Sequence, residues 1–303
     1  MDGVLVVDKP AGPTSHDVVD RARRALRERR IGHTGTLDPF ATGVLPLCVG
    51  KATRLARFLS TDDKTYRATV RLGFATSTDD LTGEPLSPPC DVAVDAGTVR
   101  RALATLVGSF DQVPPTFSAR HVGGRRAYEL ARRGEALAMA ATPVTVHAIE
   151  LLRLQDGRLD LEVRCSAGTY VRALARDLGE RLQTGAHLTA LRRTRSGRFD
   201  LSQAVALDAL DHDAATRLLP LEALLTELPA VRVPASACRW VRNGRDLGPE
   251  DVLEGFPRQP VERVRLLDDA GRLIALATPL GLEPPAGGLP RFPVLHPDLV
   301  LLD

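Results

Sequence analysis

Apolar residues fall in short runs along this chain, and their spacing switches between strand-like and helix-like several times. Gly3 to Asp8 is an apolar strand. Thr14-Ser15-His16-Asp17 then caps a helix that carries Val18, Ala22, Ala25 and Leu26 on one side and arginines on the other. Val44 to Val49 predicts a buried strand and Lys51 to Leu59 a helix. Lys64 to Leu72 alternates as a strand, with Tyr66, Ala68, Val70 and Leu72 on one face. A further helix is expected over Asp95 to Leu106. Val144 to Leu154 and Leu159 to Cys165 read as a strand pair joined at Asp156-Gly157, followed by a helix from Thr169 to Leu182. Strands interspersed with helices in this order give an α+β domain.

After about residue 226 the texture changes to short strands between Pro and Gly turns: Val231 to Pro234, Gly244 to Leu247, Val261 to Leu267 and Leu273 to Ala277. That is the pattern of a small β-barrel. The expected division is a large α+β domain over 1–226 and a small β domain over 229–303.

With 303 residues, 44% of them apolar, the chain can bury a sizeable core. Net charge is only +2, yet the basic residues are 37 arginines against 3 lysines, and the arginines cluster. Arg21 to Arg30 holds six, Arg120 to Arg133 five and Arg192 to Arg198 four. A guanidinium grips phosphate as a planar fork and stacks on bases, so such clusters suit a folded RNA; singly, each also fits a solvated helix face. The four cysteines, Cys48, Cys90, Cys165 and Cys238, lie far apart, against a zinc site and a disulfide framework. With no apolar export segment or membrane span, the expectation is a cytoplasmic protein with reduced thiols. Gly43 to Lys51 has six residues between its glycines, and Ala52 stands where a P-loop needs Ser or Thr, so ATP binding is not indicated. The pairs Asp62-Asp63 and Asp79-Asp80 read as solvated turns without further metal ligands.

The strongest candidate for chemistry is GHTGTLDPFATG at 32–43. Gly32 and Gly35 precede one carboxylate, Asp38, and Pro39 fixes the backbone just after it, so the Asp is held in one direction. An Asp-Pro dipeptide alone only starts a turn. The whole run, however, resembles the catalytic motif of the TruB-type tRNA pseudouridine synthases. GVLVVDKPAGPTSHDVV at 3–19 resembles that family's N-terminal motif and KTYRATVRLG at 64–73 its tyrosine motif. GTYVRALARDLG at 168–179 and GAHLTALRRTRSGRF at 185–199 resemble its later motifs, in matching order and spacing.

The resemblance implies Asp38 as nucleophile and Arg172 as the cation that keeps it ionised. It implies Tyr66 stacked on a flipped uracil near C5, with Tyr170 bounding the pocket. His33 would contact the RNA around the extruded base, and Leu191 the uridine. It implies a mixed-sheet pseudouridine synthase catalytic domain with an RNA-gripping insertion at about 113–142, and NGRDL at 243–247 with VRLLDDAGRLIALA at 264–277 resembles the PUA module, an RNA-binding barrel commonly fused to these enzymes. Phe117 stands where the family's PP-x-YSA sequence has Tyr, and Arg120-His121 where Lys is common, a departure confined to the insertion. The implied substrate is the T-arm stem-loop of tRNA, with uridine 55 isomerised by a monomer that needs no cofactor or metal. Converting uridine to pseudouridine breaks the N-glycosidic bond, turns the base and joins C5 to C1′, for which a carboxylate suffices. Attack on the base and assistance at the sugar both remain open. The alternatives are an RNA-guided rRNA relative and a non-catalytic tRNA-binding or folding protein on the same scaffold; a complete set of Asp38, Tyr66, Tyr170 and Arg172 speaks against the last.

Overall fold

The protein is described from a computed structural model covering residues 1–117, 139–281 and 293–302, together with the backbone of 121–122 and 125–126. Most of the expected insertion, including the side chains of its Arg120 to Arg133 cluster, lies outside the described residues.

The first twelve strands are β1 (Gly3–Lys9), β2 (Ile31–His33), β3 (Thr42–Val49), β4 (Lys64–Leu72), β5 (Gly108–Gln112), β6 (His121–Val122), β7 (Arg125–Arg126), β8 (Thr142–Gln155), β9 (Arg158–Cys165), β10 (Ala186–Ser196), β11 (Phe199–Asp200) and β12 (Val205–Ala206). Ten of them form one mixed sheet in the order β12-β1-β3-β10-β4-β9-β8-β5, with β2 added beside β3 and β11 beside β10. β6 and β7 pair only with each other. The helices Ser15–Leu26 and Val171–Arg181 bury their apolar sides in the main core with the sheet, through Val18, Val19 and Ala22 in one and Leu174 and Leu178 in the other. That burial, about 1.5 to 3 kcal/mol for each large aliphatic side chain, makes a layered α+β body.

The expected helix after Thr14 forms with a full capping box, Thr14 accepting from the Asp17 amide and Asp17 from the Thr14 amide. The Asp156-Gly157 hairpin takes positive φ at both turn residues, the geometry a tight two-residue turn needs. The expected helix over Lys51 to Leu59 resolves into a 3-10 turn, Gly50–Leu55, and a five-residue helix, Ala56–Ser60.

β3 and β10 meet at only two positions, Thr42 with Arg192 and Gly43 with Arg193. A Cβ at Gly43 would lie 2.1 Å from the Arg193 carbonyl oxygen, and its φ is 102°, so glycine is what lets the strands touch there. The Asp38 loop enters β3 at this short seam.

The C-terminal part forms a second sheet, β13 (Ala230–Arg232), β14 (Val264–Leu267), β15 (Leu273–Leu280) and β16 (Val294–Val300), in that order. Among the described residues this sheet is an open path rather than a closed barrel. The expected strand at Gly244 to Leu247 contributes only a single bridge, Leu247 to Leu295, while Ala235–Arg242 is a helix that strand periodicity did not anticipate. Leu273, Leu276, Leu299 and Leu301 pack with Val4, Val6, Val44 and Cys48 in a shared core, so the second sheet backs onto β1 and β3.

Candidate active site

Asp38 is presented by the segment between β2 and β3, which residues distant in sequence hold from beneath. Ser15, buried in the first turn of its helix, accepts from the Leu37 amide (2.8 Å) and donates to the Leu37 carbonyl (3.0 Å). The Gly12 amide donates to the Pro39 carbonyl at 2.8 Å. Lys9 is fully buried, and its Nζ donates to the carbonyls of Pro10 (2.9 Å), Pro39 (3.0 Å) and Ala41 (2.7 Å). Burial pushes the Lys9 ammonium down to about 8, against the opposing pull of Asp38. The N-terminal motif and the Asp38 loop are thus one structural unit.

Arg172 stands in the first turn of the helix Val171–Arg181, where the helix dipole disfavours a cation; carboxylates offset this. Its Nη2 donates to Asp38 Oδ1 at 3.1 Å, and its Nε lies 2.9 Å from Oδ2, an ion-pair approach without hydrogen-bond alignment. Nη1 lies 3.3 Å from Asp80 Oδ2 and donates to the Thr78 carbonyl at 3.1 Å. Nη2 also donates to the Phe117 carbonyl at 2.9 Å. Although 32% of the Asp38 side chain faces the cavity, its walls strip away enough water for desolvation to dominate. Desolvation raises the Asp38 pKa above the ordinary carboxylate value; Arg172 pulls it back and Asp80 adds to the rise.

Asp80 corrects the sequence reading. It is 4% exposed, accepts from the Thr82 amide and the Thr78 and Thr82 hydroxyls, and anchors Arg172 from the side opposite Asp38. Asp79 is likewise no free turn residue, since it pairs with Arg176 at 3.1 Å. Asp63, by contrast, is 56% exposed, as expected of a solvated turn, with His147 Nε2 3.0 Å away. Adjacent acidic residues look like a solvated turn because a sequence does not show which arginines fold back onto them.

Asp38, Tyr66, Tyr170, Arg172 and Leu191 line one cavity of about 330 Å³, at the small end of the range for ligand pockets. Tyr66, on β4, is buried beside β10, and Leu191 is the buried β10 residue nearby. Tyr170 is clamped by Gln112, whose Oε1 accepts from the Tyr170 amide (2.8 Å) and whose Nε2 donates to its carbonyl (3.2 Å). His33, at the end of β2, is not in the cavity lining; its Nδ1 is buried without a partner, and burial favours its neutral form. Lys9, Ser15, Gln112, Lys64 and Arg193 were not singled out from sequence, and Asp80 was read only as part of a solvated turn. A buried Lys or Arg carries no signal of its own in a single sequence, although Lys9 and Ser15 fall inside the N-terminal motif.

Comparison with known proteins gives the family. The profile of the TruB family pseudouridylate synthase N-terminal domain matches residues 23–171, and that of the tRNA pseudouridylate synthase B C-terminal domain matches 172–226. The chain belongs to the TruB family. It is 46% identical over 276 residues to tRNA pseudouridine synthase B of Mycobacterium ulcerans (strain Agy99), covering 89% of this chain and 92% of the relative. It is 43% identical over 282 residues to tRNA pseudouridine synthase B of Solibacter usitatus (strain Ellin6076), covering 91% and 95%. Among solved structures, a chain of a Cbf5-Nop10-Gar1 complex superposes with a TM-score of 0.73 at 26% identity, covering 99% of this chain and 85% of that one. A chain of an H/ACA RNP bound to a substrate RNA containing 2'-deoxyuridine gives 0.72 at 26% identity, with the same coverage. This TruB-family chain is therefore a pseudouridine synthase with the mixed α+β fold of that enzyme class.

Proposed function

We propose that this chain converts the T-loop uridine of tRNA, position 55 in tRNA numbering, to pseudouridine with Asp38 as nucleophile. The observation that carries the reading is the Arg172 fork on Asp38, within a base-sized cavity walled by Tyr66, Tyr170 and Leu191. Curated relatives at 43–46% identity act, by their names, on tRNA, which favours tRNA over a guided rRNA target.

The uridine is extruded from its loop, at a cost of a few kcal/mol, and its base is received against Tyr66. Arg172 keeps the desolvated Asp38 ionised, so a carboxylate meets the nucleoside at C6 or at C1′. The N1–C1′ bond breaks, the uracil turns and C5 bonds to C1′. C5 then loses its hydrogen while N1 gains one, so nothing is consumed or released. Tyr170 and Leu191 limit how far the detached base can move, and His33 contacts the RNA beside it.

In this reading residues 1–226 are the catalytic domain and 229–303 a PUA-like RNA grip, the insertion at about 113–142 holds the T-arm, and the protein works as a cytoplasmic monomer without cofactor. None of the helices among the described residues is long and apolar enough to cross a membrane. The test is incubation of the purified protein with an unmodified tRNA transcript, reading pseudouridine position by position. Formation at the T-loop uridine alone is expected. Formation only elsewhere, or none, overturns the proposal.

A further inference from the structure

Some buried charges in this molecule face opposite charge, as Arg172 faces Asp38 and Asp80 and as Asp268 faces Arg272, whereas Lys9 is held by backbone carbonyls beneath the Asp38 loop. Among the described residues Arg193 and Lys64 make no ion pair either. They are 1% and 5% exposed, and both line the Asp38 cavity. Arg193 donates to the carbonyls of Val44 (Nε, 2.7 Å) and Gly35 (Nη2, 3.0 Å), and Lys64 to those of Ser60 (2.7 Å) and Asp62. The neighbouring carboxylates do not pair with them: Asp62 is turned against Gly197 and Asp63 is 56% exposed, so the two only partly offset the burial of Lys64. Burial, with Arg193 nearby, pushes the Lys64 ammonium down to about 8. Two neighbouring buried cations satisfied by backbone carbonyls are costly. Unlike Lys9, which braces the loop from beneath, both stand in the lining of the cavity itself.

Arg193 is the cross-strand neighbour of Tyr66 on β4, and both line the cavity, which sets the guanidinium charge beside the ring that would receive the base. The proposed reaction supplies a matching need. When N1–C1′ breaks, the bonding electron pair stays with uracil, and negative charge spreads over N1, O2 and O4 until C5 bonds to C1′.

We infer that Arg193 and Lys64 are positioning residues that supply the counter-charge for the detached uracil. Arg193 acts by its charge beside Tyr66, and Lys64 by its field across the same cavity wall. Neither gives up a proton, so the proton balance is unchanged. Such pre-placed charges act where charge develops rather than where it rests in the substrate. The inference rests on the pseudouridine-forming reaction proposed for this site.

The test compares single-turnover consumption of the target nucleoside in tRNA transcripts carrying uridine or 5-fluorouridine there. Fluorine at C5 withdraws electrons and lets the ring bear negative charge with less help. Arg193→Gln is expected to slow uridine consumption about 10- to 100-fold, in line with loss of a preorganised charge, with tRNA affinity within a few fold of parent. Its defect with 5-fluorouridine should be several-fold smaller, and Lys64→Gln should show the same selectivity more weakly. A loop brace alone would slow both substrates equally while lowering the melting temperature, and that result overturns the inference. Should Arg193→Gln not fold, Arg193→Lys, which keeps the charge, and Lys64→Gln decide it: equal defects on both substrates in Lys64→Gln, or an Arg193→Lys defect insensitive to fluorine, overturn it. A parent protein inert on uridine removes the proposed reaction itself, whereas an active parent beside substrate-independent defects removes only this inference.

Discussion

The carboxylate proposed as nucleophile is held between two opposing influences, and its titration should show it. Desolvation raises the Asp38 pKa, so protonation of the folded enzyme begins at a higher pH than for an ordinary carboxylate near 3.8. Since the ionised form reacts, the single-turnover rate should climb with pH through that raised value and then level off. A profile flat down to about pH 4 would contradict this. Asp80 sets where Arg172 sits. Asp80→Asn keeps the shape but removes the charge that shares the guanidinium, so turnover should fall by roughly tenfold or more with tRNA binding little changed, a loss of positioning rather than of substrate contact. Turnover equal to parent would mean that the Asp38 contact alone fixes Arg172. At this scale Asp38, Tyr66, Tyr170, Arg172 and Leu191 were legible, because each sits in a motif whose residues converge on one cavity. Asp80 was not, because its partner lies 92 positions away on a helix whose docking no local pattern encodes.

At the scale of elements, the Asp38 loop is shaped by what lies under it. Lys9 is desolvated, with a shift from 10.5 to about 8 that corresponds to about 3 kcal/mol at neutral pH. Three hydrogen bonds from its charged nitrogen, each worth about 1.5 to 3 kcal/mol, outweigh that penalty. Lys9→Met should therefore destabilise the protein by about 1 to 3 kcal/mol, and it should lower kcat more than it raises KM, as the Pro39 and Ala41 carbonyls lose their anchor. Thermal unfolding and steady-state rates check both; an unchanged melting temperature would contradict the bracing role. The linkage has a definite sign. The folded state disfavours the Lys9 ammonium, so between about pH 8 and 10.5 the unfolded chain binds more protons and this group's contribution to stability rises with pH. Strands β1, β3, β4, β8 and β9 and the capped helix were readable from alternation and caps. β10 was noted only as a motif, because its apolar residues are interrupted by arginines, one of which, Arg193, turns inward.

For the whole molecule, the two sheets share a core, which changes what truncation should do. Removing the chain after about Leu228 strips Leu273, Leu276, Leu299 and Leu301 from Val4, Val6 and Val44, each loss worth about 2 kcal/mol of apolar burial. The truncated protein should be markedly less stable as well as weaker for tRNA. If it stays folded, a salt titration should show a slope of log affinity against log salt shallower by about 0.7 to 0.9 for each phosphate that is no longer neutralised. Equal slopes and affinities would remove the RNA-gripping role proposed for 229–303. Sequence marked this region as short strands but gave neither the helix Ala235–Arg242 nor the docking on β1 and β3, since turn-rich texture carries no information on long-range packing. Some of the arginine clusters proved to be structural: Arg23 pairs with Asp20, Arg21 with Asp211 and Arg192 with Asp8. The most direct measurement of the central claim is pseudouridine at the T-loop uridine of an unmodified tRNA, for the parent and Asp38→Asn side by side, with binding measured in parallel. Modification by the parent, none above background by the variant and affinities within a few fold are predicted; pseudouridine formation by Asp38→Asn at more than a trace of the parent rate would contradict the account.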